Sequence, residues 1–192
     1  IGADLKLDYQ WKSCSINTKA NIGANKGKKL QDNQKIEVLN IKELSRRKLD
    51  HINSKIENIR VIKGTNFHYF SKESQAKFFK KEYSVTKLTD RMGMRLEGER
   101  LDNIINTNIK SEGLVKGVIQ IPADGNPIIM LADHGTIGGY PKIATVISAD
   151  FDKLSQLIPG SKIKFKEVNL KDAETIFKLY EMETNNIISK IL

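Results

Sequence analysis

The residues best suited to chemistry lie in one short stretch, residues 132–144. This stretch places a carboxylate (Asp133), two adjacent glycines (Gly138 and Gly139) and a tyrosine (Tyr140) between two apolar runs. Glycine can adopt positive φ and lets the backbone approach another group closely, and the apolar runs predict buried strands. A surface linker would not need a buried strand on each side, so we expect function to reside here.

Two arginines could bind a small anion, and two carboxylates could assist them. Arg91 and Arg95 are predicted on one face of a strand, where paired N–H donors could clamp a carboxylate or a carboxylated group. Asp133 or Glu112 could orient the two arginines or move a proton. Each feature also has a structural reading, since a cross-strand pair of arginine and glutamate commonly stabilises a sheet.

The residues after Asp133 could stabilise negative charge that develops during a reaction. Tyr140 offers a hydroxyl, the backbone N–H groups of Gly138 and Gly139 could bind an oxyanion, and Lys142 would add positive charge. A Gly-Gly-Tyr-Pro step can equally be a simple turn. His134 has the titration range of an acid or base, although a single histidine beside a glycine is typical of a surface residue.

Nucleophilic catalysis and metal chemistry are not indicated. Cys14 and Ser111 have no visible base partner. The three histidines lack the paired spacing of a zinc site, so no metal is expected. A single cysteine excludes an internal disulfide and favours a reduced, cytoplasmic protein.

Charge and hydropathy exclude two classes of partner. The net charge is +9 and the isoelectric point is near 9.5, but the basic residues fall in several separate segments without an RNA-reading or zinc-finger motif. We therefore expect no nucleic acid. No apolar run reaches the roughly 18 to 20 residues that a membrane span requires, so no membrane segment is expected either. Since the chain begins in a strand-like pattern without a signal peptide, it is interpreted as the later part of a longer protein.

The elements that must position these residues form two regions. Short strands and turns up to residue 40 predict a small β unit, and the polar segment 41–58 predicts a linker. We place the boundary near residue 55, so that residues 1–55 end a first β domain and residues 56–192 form a second domain.

The second region is predicted to be mainly β. Many short strands with few helices are typical of a β-barrel. In the strand at 92–97, alternation puts Met92, Met94 and Leu96 on one face. Ser71 is predicted to cap a helix that ends at Lys81, with two phenylalanines facing the sheet. The remaining predicted strands are 59–62, 83–86, 117–121, 128–132, 144–148 and 162–168, and the remaining helices are 150–157 and an amphipathic C-terminal helix at 170–185.

Several short motifs occur in a recognisable order between residues 59 and 168. Together the chain resembles the biotin-dependent carboxyltransferase family, also called allophanate hydrolase subunit 2. The resemblance implies a cyclophilin-like β-barrel, with residues 12–38 similar to the end of that family's first β domain. Gln120 joins Arg91, Arg95, Gly138, Gly139 and Lys142 as a substrate-binding candidate, and Asp133, Tyr140 and Glu112 are the catalytic candidates. The motifs are Asp90–Gly93, Arg95–Gly98, Ser111–Gly113, Gln120–Pro122 with Asp124, Gly125 and Pro127, and Gly138–Ala144.

The resemblance implies three functions that the sequence leaves open. Some members are the C-type component of bacterial ATP-dependent 5-oxoprolinase, which opens the lactam of 5-oxoproline to glutamate and acts with subunits of types A and B. Others are the carboxyltransferase part of urea carboxylase, which acts on urea and allophanate and would depend on biotin on a carrier. Others are non-catalytic partners of a histidine-kinase inhibitor. Assembly of this chain with itself also stays open.

Two features bear on the activity that the resemblance implies. The chain lacks a phosphate-cradling glycine-rich loop with its lysine, so ATP would be handled by partner subunits and no directly bound cofactor is expected. At Gly135 and Ile137 the chain departs from the family, where a glutamine and a threonine are usual. A decayed or split subunit is therefore the alternative to an active one.

Overall fold

The computed structural model describes residues 4–41, 58–105 and 108–189. The chain divides into two compact units, Ile1–Lys48 and Leu49–Leu192. The predicted boundary near residue 55 lies outside the described residues, as do residues 42–57 of the linker predicted at 41–58.

Regular structure in the described residues consists of fourteen strands and three α-helices, with two single 3-10 turns at Asn25–Gly27 and Phe67–Tyr69. In chain order the elements are β1 (Asp4–Leu5), β2 (Ile16–Asn17), β3 (Ile22–Gly23), β4 (Val38–Leu39), β5 (Ile59–Lys63), α1 (Lys72–Lys80), β6 (Tyr83–Val85), β7 (Gly93–Glu97), β8 (Glu112–Gly113), β9 (Val118–Gln120), β10 (Ile128–Met130), β11 (Ile137–Gly138), β12 (Lys142–Val146), α2 (Ser148–Ser155), β13 (Lys162–Ile163), β14 (Phe165–Glu167) and α3 (Leu170–Ser189).

The first unit is a small β unit, as the turn residues predict. Strand β1 pairs with β4 and β2 pairs with β3, each over two residues. Gly23 has φ of +101°, and a Cβ there would lie 1.8 Å from the Ser15 carbonyl oxygen, so the end of β3 approaches the residue before β2 too closely for any residue but glycine. Alternation at residues 35–38 predicts a strand there, but only Val38 of these residues belongs to a strand, β4.

The second unit is a nearly closed β-barrel, which confirms the predicted fold class. Its eight-stranded sheet has the order β13-β6-β7-β10-β9-β12-β5-β14. All neighbours are antiparallel except β14 and β5, which are parallel. The two edge strands, β13 and β14, are joined by a single residue, Lys164, so the sheet must curl until its edges meet. Curling in this way brings the two edges of the sheet together, which leaves less open edge than a flat sheet has.

The alternation predicted for β7 holds inside the strand and is wrong at its start. Met94 and Leu96 are buried in the barrel core, whereas Arg95 faces solvent. Met92 is exposed instead, because it lies in a turn before the strand. The Asp90 carboxylate oxygen accepts from the backbone N–H of Met92 at 2.8 Å and closes this turn. Arg91 lies in the same turn and is therefore not on the strand face where it was predicted.

Helix α1 closes one side of the core as predicted. Its cap is Ser71, whose Oγ accepts from the backbone N–H of Ser74 at 3.1 Å. Phe78 is fully buried and stacks on Phe165 of β14 with ring centroids 4.5 Å apart. The predicted contact between this helix and the sheet is thus made by an aromatic pair.

Helices α2 and α3 pack on each other outside the barrel. Ala173, Ile176, Phe177 and Tyr180 of α3 lie in one apolar cluster together with Ile147 and Ala149. Helical spacing also predicts Leu170 and Met182 on this apolar face, but both are exposed. None of the helices in the described part of the chain is long and apolar enough to cross a membrane. Of the apolar sequence at residues 187–192, residues 190–192 lie outside the described residues.

Candidate functional site

A small ladder beside the barrel brings two predicted site residues opposite each other. Strands β8 and β11 pair so that Glu112 faces Gly138. A Cβ on Gly138 would lie 2.8 Å from Gln120 Nε2 and 2.8 Å from Leu114 Cδ1, so a larger residue there would have to displace these two side chains. Gln120 in turn pairs with Lys142 across β9 and β12. Four of the predicted site residues therefore share one place in the fold.

An ion pair between Lys142 and Glu112 forms the centre of this site. The Lys142 ammonium donates to Glu112 Oε2. The two side chains are 8% and 42% exposed, respectively, so the cation is buried and the anion reaches solvent. The pKa of Glu112 is lowered mainly by the hydrogen bond from Lys142, and further by the positive charge of Lys142 and by the Asn66 amide. Partial desolvation of the carboxylate acts in the opposite direction. Glu112 is thus held as a carboxylate beside a buried cation.

The backbone around Tyr140 is held by hydrogen bonds from both sides. Gln120 is buried, and its Nε2 donates to the Tyr140 carbonyl oxygen at 3.0 Å. The Gly139 carbonyl accepts from the backbone N–H of Ile109 at 2.9 Å. The Tyr140 side chain remains exposed. The Gly-Gly-Tyr segment is therefore anchored through its main chain while the tyrosine side chain faces solvent.

Asn66 also contacts this site and is not among the residues singled out from sequence. It is buried, and its Oδ1 accepts from the backbone N–H of Lys142 at 3.0 Å. The signal available in the sequence was a Gly-Thr-Asn turn directly after the strand predicted at residues 59–62.

Arg91 and Asp133 form a second, separate ion pair at the surface. Nε and Nη2 of Arg91 donate to the two carboxylate oxygens of Asp133 at 2.6 and 3.1 Å. The Arg91 side chain is 77% exposed. Of the two carboxylates expected to orient an arginine, Asp133 makes that contact, whereas Glu112 pairs with Lys142.

Arg95 lies elsewhere, on the outer face of β7. It lines a cleft of about 270 Å³ whose wall includes Thr86, Glu97, Asp124 and Asn126. Arg91 does not line this cleft, so the structure separates the two arginines that the sequence placed on one strand face.

The remaining candidates have local roles in the structure. His134 is half-buried, and its Nδ1 lies 2.6 Å from the Gly135 carbonyl oxygen. Cys14 is exposed in the first unit. Among the residues that the structure describes, no group of three His, Cys, Asp or Glu side chains could hold a metal ion.

Comparisons with known proteins agree on one kind of domain. The family model "Carboxyltransferase domain, subdomain A and B" matches residues 1–167. The C-type component of 5-oxoprolinase from Escherichia coli (strain K12) is 33% identical over 168 residues, which cover 84% of this chain and 52% of that protein. Its counterpart of the same name from Haemophilus influenzae is 34% identical over 184 residues, which cover 91% and 57%. The chain thus spans about half the length of these relatives.

A solved structure with the same fold is the urea carboxylase of Kluyveromyces lactis. It superimposes with a TM-score of 0.78 over 97% of this chain and 19% of the solved chain, at 22% identity. The urea amidolyase of K. lactis superimposes with the same TM-score and identity over 97% of this chain and 13% of its own. At this identity the likeness describes the fold.

Proposed function

Because this chain belongs to the family of the carboxyltransferase domain, subdomains A and B, we propose that it is a C-type component of an ATP-dependent 5-oxoprolinase. In that reaction the lactam C–N bond of 5-oxoproline is hydrolysed, so that water supplies the new carboxylate oxygen and glutamate is released. The observation that supports this choice is the pair of relatives named as C-type components of 5-oxoprolinase, each matching more than four fifths of the chain. Partner subunits of types A and B would bind and cleave ATP.

The Lys142–Glu112 pair is the chemical centre of the proposed site. A lactam carbonyl gains negative charge when it is attacked, and the Lys142 ammonium would stabilise that charge from a buried position where electrostatic interactions are strong. Glu112 is kept ionised by the same lysine and reaches solvent, so it could accept a proton from the attacking water. The exposed hydroxyl of Tyr140 would donate a hydrogen bond to the substrate. The backbone at Gly138 and Gly139 would contact the substrate on the same side of the site.

Arg91 is proposed to bind the substrate carboxylate. A guanidinium has five N–H donors, and Asp133 accepts from two of its nitrogens here. Asp133 would hold the plane of Arg91 in place while other donors bind the anion. Arg95, which lines a different cleft, would contact a different part of a ligand or of a partner.

A second candidate function is the carboxyltransferase step of a urea carboxylase, favoured by 28% identity over 124 residues with a putative urea carboxylase of Emericella nidulans. In that step the carboxyl group would be delivered by biotin attached to a carrier protein. The biotin would then be a substrate and not a bound cofactor of this domain. A regulatory role without turnover is the third, favoured by the departures at Gly135 and Ile137, both of which are exposed beside the site.

Reconstitution distinguishes these functions. The chain is assayed for ATP-dependent release of glutamate from 5-oxoproline alone, with each of the A-type and B-type subunits, and with both. Turnover only in the complete mixture supports the 5-oxoprolinase role. A stable complex without turnover supports the regulatory role, and carboxylation of urea that requires a biotinylated carrier supports the carboxyltransferase role.

Two substitutions test the residues assigned to the substrate. In the active mixture, Arg91→Ala and Tyr140→Phe should raise KM or lower kcat for 5-oxoproline with no change in the unfolding midpoint, because both side chains are exposed. Arg100→Ala and Tyr69→Phe are matched controls in the same unit and should leave turnover unchanged. A loss of stability for Tyr140→Phe as large as a core deletion causes, about 2 to 5 kcal/mol, would show a structural role instead.

A further inference from the structure

Asn66 is one of five buried polar or charged residues in the described chain, and its contacts converge on Lys142. Its Oδ1 accepts from the backbone N–H of Lys142 at 3.0 Å, and its own backbone N–H donates to the Lys142 carbonyl oxygen at 3.2 Å. Both main-chain polar groups of residue 142 are therefore bonded to a single residue that is 76 positions away in the chain.

The strand at Lys142 is irregular, so its side chain depends on such an anchor. The register between β12 and β9 shifts between Lys142 and Ala144, which is a bulge. A bulge changes the direction in which the neighbouring side chains point. The loop before Asn66 packs tightly on it, since the Gly64 N–H donates to the Ile143 carbonyl at 2.9 Å and a Cβ on Gly64 would lie 2.4 Å from the Lys142 oxygen. Loop and bulge are thus fitted to each other.

The orientation of the Asn66 amide follows from its hydrogen bonds. Its oxygen is the acceptor for the Lys142 N–H and also lies 3.5 Å from the Thr65 hydroxyl. The NH₂ group is therefore the donor end, and it acts on the Glu112 carboxylate in the sense expected of a donor, because Asn66 lowers the pKa of Glu112.

We propose that Asn66 is the positioning residue of the site: it fixes the Lys142 main chain at the bulge and directs its amide N–H to Glu112, so that ammonium and carboxylate keep one relative geometry. The importance of that geometry for turnover rests on the proposed function. The positioning itself is a property of this chain and can be measured without partner subunits.

The decisive variant is Asn66→Asp, which keeps the shape and the oxygen that accepts from Lys142 but replaces the donor NH₂ with an anionic oxygen. A like charge beside a carboxylate disfavours its ionisation, so the pKa of Glu112 should rise by about one unit or more. The measurement is a ¹³C NMR titration of the glutamate carboxyls in the isolated chain. Asn185→Asp adds the same charge on an exposed part of α3 and should leave the pKa of Glu112 unchanged.

A second readout uses the unmodified chain, so the test survives if Asn66→Asp does not fold. The Asn66 NH₂ resonances should titrate with the same midpoint as the Glu112 carboxyl. An unchanged Glu112 pKa in a folded Asn66→Asp chain, or NH₂ resonances that ignore the titration of Glu112, would overturn the proposal.

Activity measurements separate the two proposals. In the reconstituted enzyme, Asn66→Asp should move the acidic limb of the kcat/KM profile, which reports the pKa values of the free enzyme, to higher pH by the same shift as the Glu112 pKa. If the mixture shows no turnover at any pH, the proposed function fails, while the NMR titrations still decide the role of Asn66.

Discussion

Removing one member of the Lys142–Glu112 pair should cost much more stability when the lysine is the residue left behind. The Lys142 side chain is 8% exposed, whereas that of Glu112 is 42% exposed. Glu112→Gln leaves a buried ammonium without its anion, whereas Lys142→Met leaves an unpaired carboxylate that water can reach. The free energies of unfolding should therefore differ although both substitutions break the same contact.

The magnitudes follow from these exposures. Removing one partner of a buried ion pair typically costs about 3–5 kcal/mol. A glutamine oxygen can still accept a hydrogen bond worth about 1 kcal/mol, so Glu112→Gln should cost about 2–3 kcal/mol. Lys142→Met replaces one unbranched stem with another and loses a pair whose anion is half-exposed, so it should cost less than about 1 kcal/mol.

The assay is urea unfolding at pH 7 followed by far-UV circular dichroism. The single tryptophan, Trp11, lies in the first unit and would not report on the barrel. Equal slopes for all variants ensure that differences in midpoint are differences in stability. The double variant Glu112→Gln/Lys142→Met should be nearly as stable as Lys142→Met, because it leaves no buried, unpaired ammonium.

The pH dependence provides a second check with a defined sign. The folded pKa of Glu112 lies below its ordinary value near 4.5. Its stabilisation is therefore complete above that value and is lost as pH falls through the lowered folded pKa. The gap between the wild type and Glu112→Gln should shrink at acid pH. Equal costs for the two single variants, or a double variant as unstable as Glu112→Gln, would refute the reasoning.

Two further substitutions test how the barrel is held together. The Asp150 side chain is 3% exposed and accepts from Arg60 Nε at 2.9 Å. Arg60→Met leaves this buried carboxylate without its cation, so thermal unfolding should show a loss of about 3 kcal/mol of stability. A loss below about 1 kcal/mol would contradict the buried pair. Gly64→Ala should cost about 1–3 kcal/mol in urea unfolding because its Cβ would clash with the Lys142 oxygen. The control is Gly113→Ala, because a Cβ on Gly113 would have no atom within 4 Å. Equal losses of stability in the two variants would contradict the close approach at Gly64.

The amino-acid sequence by itself determined the elements whose signals are local. Alternating apolar residues specify which side of β7 is buried, since successive side chains in a strand point to opposite faces. Ser71 specifies the start of α1 through a bond to a residue three positions on. The ordered motifs between residues 59 and 168 were also sufficient to identify the family.

Which site residues contact each other depends on the tertiary structure. Glu112 and Lys142 are 30 positions apart, and Asn66 and Lys142 are 76 apart. Their contact depends on a bulge in β12 and on a ladder of two residues, neither of which has a periodic signal in the sequence. Arg91 paired with Asp133 and not with Glu112 because a turn, and not the strand, presents it. Local periodicity determines which way a side chain points, whereas register, bulges and close backbone approach determine what it touches.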